Sequence, residues 1–104
     1  MRLTPPQIHT ILLSVHAVLG ADARVWLYGS RLDDQRKGGD VDLLIESEYK
    51  PSLLLRARIK LSIENALQLP ADVLLVQRGV APTPFESIAR KQAIVLNAPE
   101  PALQ

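Results

Sequence analysis

Cysteine is absent from the 104 residues, which excludes disulfides and thiolate metal centres outright. No apolar run approaches the roughly 18 residues needed to cross a bilayer, so no membrane span is expected. The stretch Met1-Arg2-Leu3-Thr4-Pro5-Pro6 lacks the apolar centre of a secretory signal, and a cytoplasmic location is expected. A large excess of one sign of charge is missing too. Twelve Lys and Arg stand against 11 Asp and Glu, with no basic stripe, so a nucleic-acid partner is not expected. What is present is a globular balance, 47% hydrophobic and 22% charged, which argues against disorder of the whole chain. One domain is expected over residues 1–97, with residues 98–104 as a disordered tail.

Periodicity divides the chain into helices and strands. Thr4-Pro5-Pro6-Gln7 is a capping box with proline at the first helical position, and Ile8, Ile11, Leu12, Val15, Val18 and Leu19 follow at helical spacing. A helix is expected over Pro5–Leu19, stopped by Gly20. Arg24–Tyr28 is β-branched and aromatic and reads as a strand ended by Gly29. Ser30–Gly39 reads as a polar loop. Val41–Glu46 reads as a second strand whose apolar run suggests burial on both faces. Pro51–Leu69 has the length of a helix, with Leu54, Leu55, Ile59, Ile63, Ala66 and Leu67 on one face and Arg56, Lys60 and Glu64 roughly opposite. Leu53 and Leu61 fall off that stripe, either as core excess or as a homodimer or partner surface. Asp72–Gln77 reads as a third buried strand. Thr83-Pro84-Phe85-Glu86 opens a short helix ending near Lys91, and Ile94–Leu96 a short edge strand. The fold class expected is α/β (α+β): a small mixed sheet with helices packed mainly on one face.

The chemistry concentrates in Tyr28-Gly29-Ser30-Arg31 and Gly38-Gly39-Asp40-Val41-Asp42-Leu43. Residues i and i+2 of a strand share a face, so Asp40 and Asp42 would project side by side. Paired carboxylates resist joint ionisation unless a cation sits between them. Mg²⁺ suits such a place, because it takes one or two carboxylates and shares its remaining positions with water and substrate phosphates. Asp72 opens another strand; if the two strands are neighbours, it joins the pair and the three acids can clamp two metals around an in-line displacement. Gly29-Ser30, at the end of a strand, allows close backbone approach to a phosphate. Arg31, Arg36 and Lys37 supply cations for a triphosphate.

Each piece also has a plainer reading. A single Asp-x-Asp is ordinarily solvated charge, a Gly-Ser after a strand is ordinarily a turn, and Asp72 alone is an edge or cap residue. The loop cations are ordinarily solvated, His9 and His16 are helix residues without a third ligand, and Trp26 and Tyr28 are core aromatics. The combination, in order and on compatible strands, is what points to a site.

That combination resembles the minimal nucleotidyltransferases of the DNA polymerase β-like superfamily, whose hallmark is Gly-Ser, a loop of about ten residues, Asp-x-Asp on the next strand and a third acid on a later one. Gly29, Ser30, Asp40, Asp42 and Asp72 stand at those places. The resemblance implies a polymerase β-like palm fold, two Mg²⁺ ions held by Asp40 and Asp42, Asp72 on the catalytic ion beside the attacking hydroxyl, and Ser30 on the β- and γ-phosphates of ATP. It further implies an antitoxin that adds AMP to a tyrosine of a helical HEPN ribonuclease toxin, since drug-modifying relatives carry an additional domain for which this length leaves no room. The loop departs from the usual pattern: Leu32-Asp33-Asp34-Gln35 replaces an Ala-Arg-Gly-like segment, and Gly39 stands where many relatives have Ser. The added acids motivate the alternative, a binding module that neutralises its partner by contact alone.

Overall fold

A computed structural model describes residues 3–29, 40–91 and 93–96. The elements run α1 (Pro5–Leu19), β1 (Arg24–Tyr28), β2 (Val41–Ser47), α2 (Leu53–Leu67), β3 (Ala71–Gln77), α3 (Pro84–Lys91) and β4 (Ile94–Leu96). The tail expected at 98–104 lies outside the described residues. So does the loop 30–39.

Local chemistry sets the helix boundaries. At α1, the Thr4 hydroxyl accepts the Gln7 N–H at 3.3 Å while the Gln7 side chain accepts the Thr4 N–H at 2.9 Å, the reciprocal box read from the sequence. Thr83 and Glu86 make the same exchange ahead of α3. At α2 the cap is Ser52, whose hydroxyl accepts the Leu55 N–H at 3.1 Å. This helix is shorter than the Pro51–Leu69 expected. It ends at Leu67 because Gln68 turns left-handed, at φ 57°, and donates its N–H back to Glu64. Its buried stripe is also narrower. Ile59 and Ile63 are fully buried and Leu55 and Leu67 pack against the core, whereas Leu54 and Ala66 face out. The row at four-residue spacing, 55-59-63-67, is the one that meets the sheet. Leu53 and Leu61 are exposed, so they are not core excess.

The sheet order is β3-β2-β1-β4. Strand β1 runs antiparallel to β2 and β4; β2 and β3 are parallel, joined by the α2 crossover. One face carries Val25, Leu27, Val41, Leu43, Ile45 and Val73 into the core with Ile11, Val15 and Leu19 of α1 and Ile59 and Ile63 of α2. Helix α3 lies on the other face: Arg90 stacks over the Trp26 ring and Phe85 meets Tyr28 edge-on. Two-sided burial of β2 is therefore real at Leu44, which is covered on the α3 side. Strand β3 differs from the buried strand expected. It is a sheet edge, with Val73 enclosed but Leu74, Leu75 and Val76 only half-buried.

The start of β3 is tied to α2 by a carboxylate and an ammonium. Glu64 accepts the Ala71 N–H at 2.8 Å and pairs with Lys60 at 3.0 Å, and Lys60 donates to the Ala71 carbonyl. The Ala71 N–H, then Lys60, hold the Glu64 carboxyl below its ordinary pKa of 4.5. A depressed carboxyl pKa contributes stability above the unfolded value and loses it as pH falls through the folded one. Thermal melts of Glu64→Gln are therefore expected to show a lower Tm than wild type at pH 7, with the gap closing as pH falls below 4.5.

Candidate active site

Register brings the acids together. In the paired strands Tyr28 stands opposite Asp42, and Asp42 stands opposite Asp72. Residues opposite one another in neighbouring strands project from the same face. Here that face is the one turned away from Val41, Leu43 and Val73, hence away from α1 and α2. Asp42 is half-buried between its neighbours and Asp72 is exposed. Asp40 is exposed and lies one residue before β2, where strand alternation no longer sets its direction. Among the described residues no group of three or more His, Asp or Glu is close enough to hold a metal, so the juxtaposition fixed by the sheet is the pair Asp42–Asp72.

Gly29 closes against this pair. Its φ of +79° is a left-handed conformation that side chains disfavour. A Cβ placed there would collide with a carboxylate oxygen of Asp42 and come within 3.0 Å of its Cγ. The chain leaving β1 thus bends directly over the Asp42 carboxylate, an approach open only to glycine. Ser30, Arg31, Arg36 and Lys37, the expected phosphate contacts, and Asp33 and Asp34 lie outside the described residues.

Two residues not read as site residues from the sequence act on this surface. Tyr28, read as core, is half-buried on the acidic face. Burial, and then the charges of Asp42 and Asp72, raise its hydroxyl pKa above the ordinary 10.0, while Arg56 pulls it down. The hydroxyl therefore senses both carboxylates and the guanidinium at once. Alternation could have revealed this: Val25 and Leu27 take the core face, so Trp26 and Tyr28 must take the other. Nothing in the sequence marks Arg56. It is one of several exposed cations of α2, and only the crossover brings it round to β3.

Farther along the same face, Glu46 receives Arg78 at 3.4 Å and Arg90 at 3.5 Å, and Arg90 lies 4.7 Å from the Trp26 ring centroid. Phe85 of α3 meets Tyr28 at 6.5 Å between centroids and 79° between planes. The position of α3 is thereby linked to Tyr28. A cavity of about 750 Å³ lies at the opposite end of the sheet, between Leu12, His16, Arg24 and Arg78. It touches none of Asp40, Asp42 and Asp72, and the chemistry is placed by the strand register instead.

The donor set fits a hard divalent cation. Two carboxylates on adjacent strands, roughly 4.8 Å apart in backbone spacing, supply oxygen ligands, and the missing side chain at Gly29 leaves an approach beside them. Asp40 lies two residues before Asp42, just ahead of β2.

Paired acids at the ends of neighbouring strands, overhung by a glycine bend, form a surface suited to metal-assisted phosphoryl transfer. The sequence model of the nucleotidyltransferase domain matches residues 8–98, and the chain belongs to that family. The match spans the glycine bend and all three aspartates. No curated protein matches the chain.

Two measurements check this geometry. Gly29→Ala combines positive φ with a collision at Asp42, and is expected to destabilise the fold by roughly 1–3 kcal/mol in denaturant titration. In spectrophotometric titration, Asp42→Asn is expected to lower the Tyr28 ionisation midpoint relative to wild type, because one of the charges opposing phenolate formation is gone.

Proposed function

We propose that this chain is an Mg²⁺-dependent nucleotidyltransferase that moves AMP from ATP to a hydroxyl of a partner protein. The observation that carries the proposal is the registered pair Asp42–Asp72 beneath the Gly29 bend. In this reading Asp40, Asp42 and Asp72 would hold the ions. Bound Mg²⁺ would neutralise the triphosphate and polarise the α-phosphate.

The remaining work falls to the chain itself. Gly29 lets the backbone approach the phosphates, and Ser30, with Arg31 and Arg36, holds the β- and γ-phosphates. Asp72 accepts the proton of the acceptor hydroxyl as its oxygen bonds the α-phosphorus. The bond from that phosphorus to the bridging oxygen breaks, and pyrophosphate leaves with the electron pair. A protein acceptor is favoured over nucleic acid by the net charge of +1 and by the exposed Leu53 and Leu54 at the start of α2. The family resemblance makes a HEPN-type helical toxin the partner to try first, with the chain as its antitoxin.

The test is transfer of label from α-³²P-ATP to protein that co-purifies with the tagged chain. Wild type with Mg²⁺ is expected to label the partner, and Asp42→Asn and Asp72→Asn to lose about a hundredfold or more. Equal labelling by the variants would overturn the assigned roles. If the variants neutralise the partner as well as wild type does, without label, contact alone is the function.

A further inference from the structure

We infer that the outer edge of β3 is the acceptor-binding surface, and that it takes an extended polypeptide segment which joins the sheet as a further strand. Such a segment would set a hydroxyl residue beside Asp72 and an acidic residue against Arg56. The inference rests on the nucleotidyl-transfer reading for the role of the segment, not for its binding.

Main-chain direction along β3 is fixed by its ladder. The Val41 N–H donates to the Pro70 carbonyl at 2.9 Å, and the Arg78 N–H donates to the Ser47 carbonyl at 2.7 Å. Even-numbered residues of β3 thus turn their main chain towards β2, and odd-numbered ones turn outward. The first outward residue, Ala71, is closed off by Glu64 and Lys60. At the next two, Val73 and Leu75, no described residue bonds the outward N–H and C=O. An open edge of this kind is a template for strand addition.

Beside that open stretch runs a groove of about 310 Å³, walled by Pro51, Leu53, Arg56, Val73, Leu74 and Leu75. Leu53 is 83% exposed, which leaves an apolar side chain without cover at the groove wall. Arg56 makes no ion pair among the described residues, and its charge reaches the Tyr28 hydroxyl. The wall is therefore apolar on the α2 side and cationic towards the acidic face.

Position relative to the site selects the occupant. The phosphate-binding bend lies at β1 and Asp72 at β3, with Asp42 between them. The acceptor must then approach from the β3 side. A strand added there would lie about 4.8 Å from β3. In a parallel pairing, which carries the later acid towards Leu74 and Arg56, its residue opposite Asp72 would project on the same face. Its flanking residues would point the other way, towards Pro51 and Leu53. The recognised pattern is thus alternating: hydroxyl and acid on one face, apolar residues on the other.

The experiment is an amide NMR titration of the full chain with the blocked peptide acetyl-Val-Tyr-Val-Asp-Val-amide. Shifts are expected at Val73, Leu75 and Arg56. Arg56→Glu is expected to weaken binding about tenfold, and N-methylation of the peptide's aspartate, whose N–H faces the Val73 carbonyl when the tyrosine stands opposite Asp72 in a parallel pairing, to abolish it. Leu75→Pro, which removes an outward N–H at an edge strand where proline is tolerated, is expected to act likewise. The methylated peptide keeps the test valid if that variant does not fold. Overturning results are an absence of shifts at Val73 and Leu75, shifts indifferent to N-methylation and Arg56→Glu, or a hexauridylate that moves these amides where the peptide does not. A parallel titration with ATP and Mg²⁺ separates the two readings. ATP shifts at Gly29 and Asp42 without a peptide response defeat only the edge assignment; a peptide response without ATP shifts defeats only the catalytic one.

Discussion

The parallel pairing of β2 with β3 is the constraint on which the candidate site depends. It sets Asp42 opposite Asp72, and the antiparallel pairing of β1 with β2 adds Tyr28 to the same row. A slip of one residue in either ladder would turn one of these side chains into the core face, because strand side chains alternate. The slip is opposed by the core itself. Val41, Leu43 and Ile45 on β2, with Ala71 and Val73 on β3, are all buried against the helices. Packing on one face thereby fixes the placement of charge on the other. The ties from Glu64 and Lys60 to Ala71 reinforce the register at the residue immediately before Asp72.

The two faces divide the labour. Helices α1 and α2 close the apolar side, leaving the opposite side to be shared between α3 and the acidic row. Helix α3 is held there by Glu46, which receives both Arg78 and Arg90, and by the stacking of Arg90 on Trp26. These contacts occupy the half of the face far from Asp42 and Asp72. The glycine bend then brings the backbone over Asp42 from the β1 side.

Much of the fold was legible from the chain. The capping boxes at Thr4 and Thr83 fixed two helix starts, and the β-branched runs fixed the strands, because both signals are local. Less legible was the depth of burial. The sequence of β3 reads as an enclosed strand, yet β3 is an edge, since strand order is decided by the crossover and not by composition. Likewise Leu54 and Ala66 look like core positions of α2 and face out, because the angle at which the helix meets the sheet selects a narrower row. In the candidate site, Asp42, Asp72 and Gly29 were readable from motif order. Tyr28 was hidden by its aromatic character, and Arg56 by its ordinary helical surroundings.

The sequence by itself determined the chemistry on offer: acidic residues at two strand starts, a glycine where the chain must turn, no cysteine, and a nearly balanced charge. These are properties of residue type and local spacing. Only the tertiary structure decided which acids are neighbours, that Tyr28 and Arg56 share their field, and that the strand edge beside them is bonded beyond Ala71 by no other described residue. Those facts depend on strand order and on the side of the sheet that the crossover helix covers, and both are settled by long-range burial of apolar surface.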